Sequence, residues 1–203
     1  MNTGPQEKTN SNVFERLAEL YATMESRYEE LASRLGLTCS ECTDNCCRSY
    51  FQHHTYIEWA YIWKGMDSLD PKHRQAVLDR ARTNVEQCRT ILEQGKQPRF
   101  MCPLNEQGLC ILYPYRLMIC RLHGVPNQVR MPNGHTKQFP GCQKCQELTA
   151  DLSRIPVLDR TPLYIDLVQL EREFLGTKRR RLPKVDMTLS EMLVQGKPPL
   201  QGE

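Results

Sequence analysis

Nine of the ten cysteines of this 203-residue chain fall into three groups whose spacing suits metal binding. The first group has the spacing C-x2-C-x3-C-C, the second is a looser trio, and the third is another C-x2-C pair. In chain order the nine are Cys39, Cys42, Cys46 and Cys47, then Cys102, Cys110 and Cys120, then Cys142 and Cys145. A C-x2-C turn lets two thiolates bind one metal centre, and two distant turns can complete a tetrahedral zinc site or hold an iron–sulfur cluster. These nine residues are therefore the candidate metal ligands.

The number of thiols exceeds the four ligands of a single simple site. The adjacent pair Cys46 and Cys47 adds a constraint, because neighbouring side chains diverge by about 100° on a helix and point to opposite faces of a strand. Both cannot easily bind one small ion without strain in the backbone. We therefore expect either two centres, or one centre with extra thiols of which one could be redox-active.

Spacing alone does not separate zinc from iron–sulfur, because thiolate binds both. The order C-x3-C-x2-C of radical enzymes and the order C-x2-C-x2-C-x3-C of ferredoxins are both absent from this sequence. The absence of both signatures counts against an iron–sulfur cluster, although the spacing leaves both metals open.

The first ten residues lack the basic-then-apolar pattern of a secretory signal, and no apolar run reaches the roughly 20 residues that span a bilayer. We therefore expect a cytoplasmic protein without a membrane segment. Cytosolic thiols are kept reduced, so clustered cysteines there indicate metal binding or redox chemistry. A disulfide framework is the alternative if a signal had been removed.

These motifs resemble the YkgJ-type cysteine-cluster family, which is described as a zinc- or iron-chelating domain. The family pattern is a C-x2-C-x3-C-C-like cluster, then C-P-L with Gly-x-Cys, a Tyr, and Arg-Pro-x-x-Cys-Arg. The matching residues are Cys39, Cys42, Cys46, Cys47, Cys102, Pro103, Gly108, Cys110, Tyr113, Arg116, Cys120 and Arg121. Leu117 stands where the family usually has Pro, which removes no ligand. The resemblance covers about residues 36–145. It implies a cytoplasmic metal-binding protein and, since some members are suggested to be ferredoxin-like, favours an iron–sulfur cluster over a zinc ion.

Four residues near the cysteines are candidates for tuning the centre, namely Arg116, Arg121, Tyr113 and His123. The two arginines flank Cys120 and could offset the charge of several thiolates, which would lower thiol pKa values and raise a reduction potential. A fold-supporting salt bridge is the alternative for each. Tyr113 is expected to pack over the site together with Tyr115, and His123 could replace a cysteine as ligand.

The charge distribution gives little reason to expect nucleic acid as a partner. The net charge of +3 arises within residues 176–203, which carry six Lys or Arg against three acidic residues. The KRRR run there is most simply a solvated tail, and the cysteine-bearing body is neutral.

No phosphate loop, Ser-His-Asp order or H-E-x-x-H motif accompanies the cysteines. The sequence therefore indicates a metal protein of redox type, with an unidentified protein as redox or interaction partner. The alternatives are a zinc-stapled interaction module without redox activity and an accessory of a protein- or RNA-modifying enzyme.

Helices must position these cysteines, and their ends are marked in the sequence. A capping box of Asn12 and Glu15 starts the first predicted helix, which Gly36 ends. Its apolar stripe recurs at spacings of three and four and consists of Phe14, Leu17, Tyr21, Met24, Tyr28, Leu31 and Leu35.

Two more helices are predicted before the second cysteine group. Thr55 and Glu58 form a capping box before a short helix that ends at Gly65. Asp70-Pro71 starts a longer helix that ends near Gly95. The stripe of this longer helix is Val77, Leu78, Ala81, Val85, Cys88 and Leu92. Cys88 is therefore interpreted as core, since a cysteine in an apolar stripe behaves as a small hydrophobic residue.

Pro and Gly punctuate residues 98–147, so no long helix is expected there. A helix over 162–175 follows, and Thr188 with Glu191 caps a last short one. The predicted fold is mainly α, a small helical domain with an irregular, cysteine-rich and metal-clamped central region. Its predicted limits are a disordered N-terminus at 1–10, a single domain at 11–175 and a basic C-terminal tail at 176–203.

Overall fold

The computed structural model describes residues 5–39 and 46–200, with side chains for 12–39 and 47–200, and this part of the chain is mainly α, as predicted. Its seven α-helices are α1 (Pro5–Arg34), α2 (Tyr56–Asp67), α3 (Pro71–Glu93), α4 (Met118–Leu122), α5 (Gln143–Thr149), α6 (Thr161–Leu175) and α7 (Leu189–Gln195). Its short strands are β1 (Asn105–Glu106), β2 (Leu109–Cys110), β3 (Asn127–Arg130), β4 (Thr136–Phe139) and β5 (Leu158–Asp159). None of the helices in these ranges is both long enough and apolar enough to cross a membrane.

The chain folds into two compact units that interleave along the sequence. The first unit comprises Met1–Cys46 and Met118–Glu173, and the second comprises Cys47–Leu117 and Phe174–Glu203. The single domain of 11–175 stays a prediction from the sequence.

In the first unit, α1 buries the stripe that the sequence predicted. Leu17, Tyr21, Met24 and Leu31 are buried, because spacings of three and four place them on one face of the helix. The other predicted members of the stripe are half-buried, namely Phe14, Tyr28 and Leu35. The helix begins at Pro5 rather than at the predicted capping box; proline is favoured in a first turn because it has no amide hydrogen to leave unpaired. At the other end Gly36 adopts a φ of +65°, the left-handed conformation that commonly follows a helix.

A three-stranded sheet in the order β4-β3-β5 completes the first unit. Strand β3 is antiparallel to β4 and parallel to β5, and both partners pair with it at Asn127. Helix α6 starts directly after β5 and buries three leucines at helical spacing, Leu163, Leu167 and Leu170. Only short elements occur between residues 98 and 147, in agreement with the prediction.

In the second unit, α2 begins after Thr55 as predicted, but its predicted capping box and end are wrong. The Thr55 hydroxyl bonds to the Glu58 carboxylate at 2.8 Å, and the Thr55 side chain makes no hydrogen bond that caps the helix. The helix continues past Gly65 to Asp67. Gly65 does not end the helix but lies against the ring of Tyr115. A β-carbon at Gly65 would lie 2.7 Å from the ring of Tyr115.

Helices α3 and α7 pack against each other in the second unit. Asp70 caps α3 by accepting a hydrogen bond from the amide of His73 at 3.0 Å, as the Asp-Pro signal predicted. Thr188 and Glu191 form the predicted capping box of α7. The predicted helix starts are thus confirmed at both places.

Candidate metal centre

Seven of the nine predicted ligands have described side chains, and each unit holds some of them. Cys39, Cys120, Cys142 and Cys145 belong to the first unit, and Cys47, Cys102 and Cys110 belong to the second. Cys42 lies outside the described residues, and of Cys46 only the backbone is described, in a 3₁₀ turn at Cys46–Arg48. Among the cysteines that the structure describes, no two are joined by a disulfide.

A backbone hydrogen bond brings two of the second unit's cysteines together. The amide of Cys102 donates to the carbonyl of Cys47 at 2.9 Å. These two residues come from different groups of the sequence, the C-x2-C-x3-C-C cluster and the C-P-L motif. The structure therefore joins two cysteine groups that only long-range folding could bring into contact.

A turn and a hairpin then link Cys102 to Cys110 through Asn105. The carbonyl of Cys102 accepts a hydrogen bond from the amide of Asn105 at 2.9 Å, and Asn105 pairs with Cys110 across β1 and β2. The two-residue loop between the strands has positive φ at both positions, 52° at Gln107 and 87° at Gly108. This combination is the type I′ turn, whose twist matches that of the flanking strands. The loop geometry thus fixes the register that sets Cys110 opposite Asn105.

Three polar side chains of α3 hold the segment around Cys102 and the hairpin that follows it, and none of them was predicted from the sequence. The carboxamide of Asn84 donates to the carbonyl of Met101 at 2.8 Å. The guanidinium of Arg80 donates to the carbonyl of Pro103 at 3.0 Å and to the carboxylate of Glu106 at 2.6 Å.

The imidazole of His73 bonds to the same Glu106 oxygen at 2.9 Å, which completes what we call the α3 polar row: His73, Arg80 and Asn84. The sequence contains a signal for this row, because intervals of seven and four place the three residues on one face of the helix. The bonds from His73 and then from Arg80 hold the pKa of Glu106 below its usual value, so it is a carboxylate at neutral pH.

One polar atom of the hairpin, on Asn105, is buried without a hydrogen-bond partner in the part of the chain that the structure describes. Asn105 Oδ1 accepts a hydrogen bond from the amide of Gly108 at 3.2 Å, but the buried Asn105 Nδ2 has no hydrogen-bond partner among the described residues. A buried donor left without an acceptor costs about 1–3 kcal/mol, so such an atom in a native fold can mark the place of an acceptor such as a thiolate. Thiolate sulfur bound to a metal accepts hydrogen bonds from such neighbours. The unpaired donor on the hairpin that carries Cys110 is therefore compatible with a nearby thiolate, while the described side chains themselves form no group that could hold a metal.

In the first unit, Tyr28 and Gly124 connect Cys39 with Cys142. The Tyr28 hydroxyl lies 3.8 Å from the sulfur of Cys39, and a β-carbon at Gly124 would overlap the same hydroxyl. The carbonyl of Gly124 accepts a hydrogen bond from the amide of Cys142 at 3.0 Å. Only a glycine allows the tyrosine to approach the backbone this closely.

The C-x2-C pair of the first unit lies at the start of α5. Cys142 is the residue before the helix, and the buried Cys145 lies in its first turn. Lys144 donates from Nζ to the carbonyl of Thr38 at 2.9 Å, which links this turn to the residue before Cys39. Burial, with a smaller effect of the charge of Cys142, raises the pKa of the Cys145 thiol to about 11. A bound cation has the opposite effect, since metal coordination deprotonates a thiol.

Cys120 lies on α4, and its neighbour Arg121 faces α1. The Arg121 guanidinium lies 4.2 Å from the ring centroid of Tyr21 and 3.8 Å from Glu25 Oε2. Its side chain is buried, so these contacts match the fold-supporting alternative. His123 follows directly after α4 and is half-buried.

The aromatic and basic residues before α4 lie in the second unit. The Arg116 guanidinium lies 3.6 Å from the ring centroid of Tyr113, a cation–π contact, and Tyr113 is partly exposed. Tyr115 packs on α2 instead, against Gly65 and 4.9 Å from the ring centroid of Tyr61. Tyr115 is therefore part of the packing that holds α2.

Cys88, which the sequence analysis assigned to the core, is half-buried on α3. Burial, and then the charge of Glu191, raise the pKa of its thiol. Across residues 12–39 and 47–200, no three or more His, Cys, Asp or Glu side chains form a group that could hold a metal ion.

No protein-family model, no curated protein and no solved structure matches this chain. The resemblance to the YkgJ-type family stays an expectation that rests on the residues quoted for it.

Proposed function

We propose that this protein is a cytoplasmic metal-binding protein that holds an iron–sulfur or zinc centre through its clustered cysteines and acts in electron transfer. The observation that carries the proposal is the hydrogen bond between the Cys102 amide and the Cys47 carbonyl, because it draws together two cysteine groups that are distant in sequence. The orphan donor Asn105 Nδ2 supports it, since a thiolate centre would provide the missing acceptor.

Within the second unit, Cys47, Cys102 and Cys110 are the proposed ligands, and the hairpin would orient Cys110. Their side chains do not form a metal-holding group as the structure describes them, so the thiols would have to turn toward the metal as it enters. Within the first unit, the candidate ligands are Cys39, Cys120, Cys142 and Cys145. A tetrahedral site or a cubane cluster requires four thiols, and the structure brings no three of these together as a metal-holding group, so binding there would also require the thiols to move. An iron–sulfur cluster would supply one-electron redox chemistry, whereas a zinc ion would supply only structural cross-linking. We favour iron because the thiols outnumber the ligands of one structural zinc.

Elemental analysis of anaerobically purified protein, together with quantitation of acid-labile sulfide, tests the proposal. Iron and sulfide in equal amounts, with broad visible absorbance that dithionite bleaches, support the iron–sulfur centre. A colourless protein with stoichiometric zinc supports the staple without redox activity. Protein purified without either metal, and unable to take one up after reduction of its thiols, contradicts the proposal. The metal-to-protein ratio also decides between one centre with extra thiols and two centres.

A further inference from the structure

Two residues of the α3 polar row form hydrogen bonds with the backbone on either side of Cys102, one of the predicted ligands. Asn84 holds the carbonyl that precedes Cys102, and Arg80 holds the carbonyl of the residue that follows it. Two fixed carbonyls, one on each side, leave the Cys102 backbone little freedom to rotate. The direction of its side chain is then set by α3 as well as by its own loop.

The row also fixes the hairpin that carries Cys110. Arg80 and His73 both bond to one carboxylate oxygen of Glu106 in β1, the strand that pairs with β2. Hydrogen bonds to an ionised group are stronger than neutral ones, and those of an arginine combine charge with fixed geometry. Arg80 is therefore the residue that connects the Cys102 turn with the Cys110 hairpin.

We propose that Arg80 and Asn84, supported by His73, are positioning residues that preorganise Cys102 and Cys110 for metal binding. This inference rests on the proposed function, because it assigns a role around the same metal ligands. Preorganised ligands bind more tightly, since less backbone freedom is lost when the metal enters. Partners of this outer kind typically contribute roughly 10–100-fold to metal affinity. None of the three residues needs to touch the metal.

The test compares Arg80→Met with Arg82→Met in the full-length chain. Arg82 lies on the same helix, and its hydrogen bond is to the exposed Asp79 at 2.6 Å, so its loss removes a charge without touching the hairpin. Metal-free, reduced protein is titrated with cobalt(II), whose visible bands report tetrahedral thiolate ligation, and zinc affinity is measured by competition with a chromophoric chelator. We expect Arg80→Met to weaken zinc binding roughly 10–100-fold and Arg82→Met to leave it within about twofold of wild type.

If Arg80 only stabilises the fold, the two measurements should separate. In that case Arg80→Met lowers the unfolding temperature but leaves both the zinc affinity and the cobalt spectrum of the folded protein unchanged, which overturns the inference. If Arg80→Met does not fold by circular dichroism, Asn84→Leu gives the answer, because it removes a single hydrogen bond. Arg80→Lys keeps the charge but cannot make both contacts at once, so a partial recovery of affinity is expected.

Failure of the inference and failure of the proposed function give different results. A wild-type protein that binds neither cobalt nor zinc contradicts the proposed function itself, and the inference with it. A wild-type protein that binds metal, with Arg80→Met and Asn84→Leu equal to Arg82→Met, contradicts the inference alone.

Discussion

The amide nitrogen of Cys102 lies 2.9 Å from the carbonyl oxygen of Cys47, and this hydrogen bond joins the last residue of the first cysteine group to the first residue of the second. Cys47 of the first group is therefore held beside Cys102 of the second group within the second unit. A metal at this place would depend on both segments, and loss of either thiol should affect binding and folding together.

Cys102→Ser is expected to lower the metal content and the free energy of unfolding together, because ligation and folding are coupled in cysteine-bound sites. Metal content by elemental analysis and urea unfolding followed by circular dichroism measure the two effects. Cys88→Ala is the matched control in the same unit, and it should keep the metal and cost only about 1 kcal/mol of packing. Equal loss of metal in both variants would show that the division of the thiols is wrong.

Gly124→Ala is expected to destabilise the protein by about 1–3 kcal/mol, because the new methyl group would overlap the Tyr28 hydroxyl. Tyr28→Phe removes that oxygen, so the double variant should recover part of the loss. Urea unfolding of the two single variants and the double variant gives the coupling between them. Strict additivity of the two changes would contradict the close approach that the structure shows.

Gly65→Ala provides a test in which two effects have opposite signs. Alanine stabilises a helix interior by roughly 1 kcal/mol relative to glycine. At Gly65, however, the new β-carbon would lie 2.7 Å from two ring carbons of Tyr115 and 3.2 Å from its β-carbon, atoms near the root of the side chain that cannot easily move aside. We expect the overlap to dominate and the unfolding temperature to fall. A rise in that temperature would mean that the Tyr115 ring does not lie against α2.

The buried His53 predicts a pH dependence of stability. Burial, and then the charge of His54, lower the pKa of His53 to about 3 from an ordinary value of 6.5. Above pH 6.5 neither the folded nor the unfolded state carries the proton. Between pH 6.5 and 3 only the unfolded state takes it up, so the free energy of unfolding falls by up to about 1.4 kcal/mol per pH unit as the pH is lowered.

The change His53→Phe removes this titration and should flatten the stability profile between pH 6.5 and 5. The measurement is urea unfolding at several pH values in that window. His135→Phe serves as a control, since His135 is exposed on the loop between β3 and β4. Parallel profiles for wild type and His53→Phe would rule out a buried neutral histidine at this position.

The helices could be predicted from the sequence where the signal is local. The stripe of α1, the Asp-Pro start of α3 and the capping box of α7 each depend on residues within a few positions of one another. The end of α2 could not, because Gly65 near the end of an apolar run has the appearance of a helix terminator. Its actual role depends on Tyr115, which is distant in sequence.

The candidate site, like the helices, could be predicted only where the signal is local. The spacing of the cysteines identified the candidate ligands, because C-x2-C turns are local motifs. The bond from Cys102 to Cys47, and the contacts of Arg80 with Pro103 and Glu106, join residues that are far apart in the chain. Only the folded arrangement of the second unit reveals them.

Both tryptophans of the chain lie on α2, and both use their indole N–H to hold α7. Trp59 and Trp63 donate to the carbonyl of Met192 at 3.0 and 3.1 Å, and Trp59 also donates to the carbonyl of Gly196 at 2.8 Å. The tryptophan fluorescence of this protein therefore originates at one place, the contact between α2 and α7. Detachment of α7 would expose both indoles to water and shift their emission to the red, so the chain carries its own optical reporter of whether the C-terminal segment is docked.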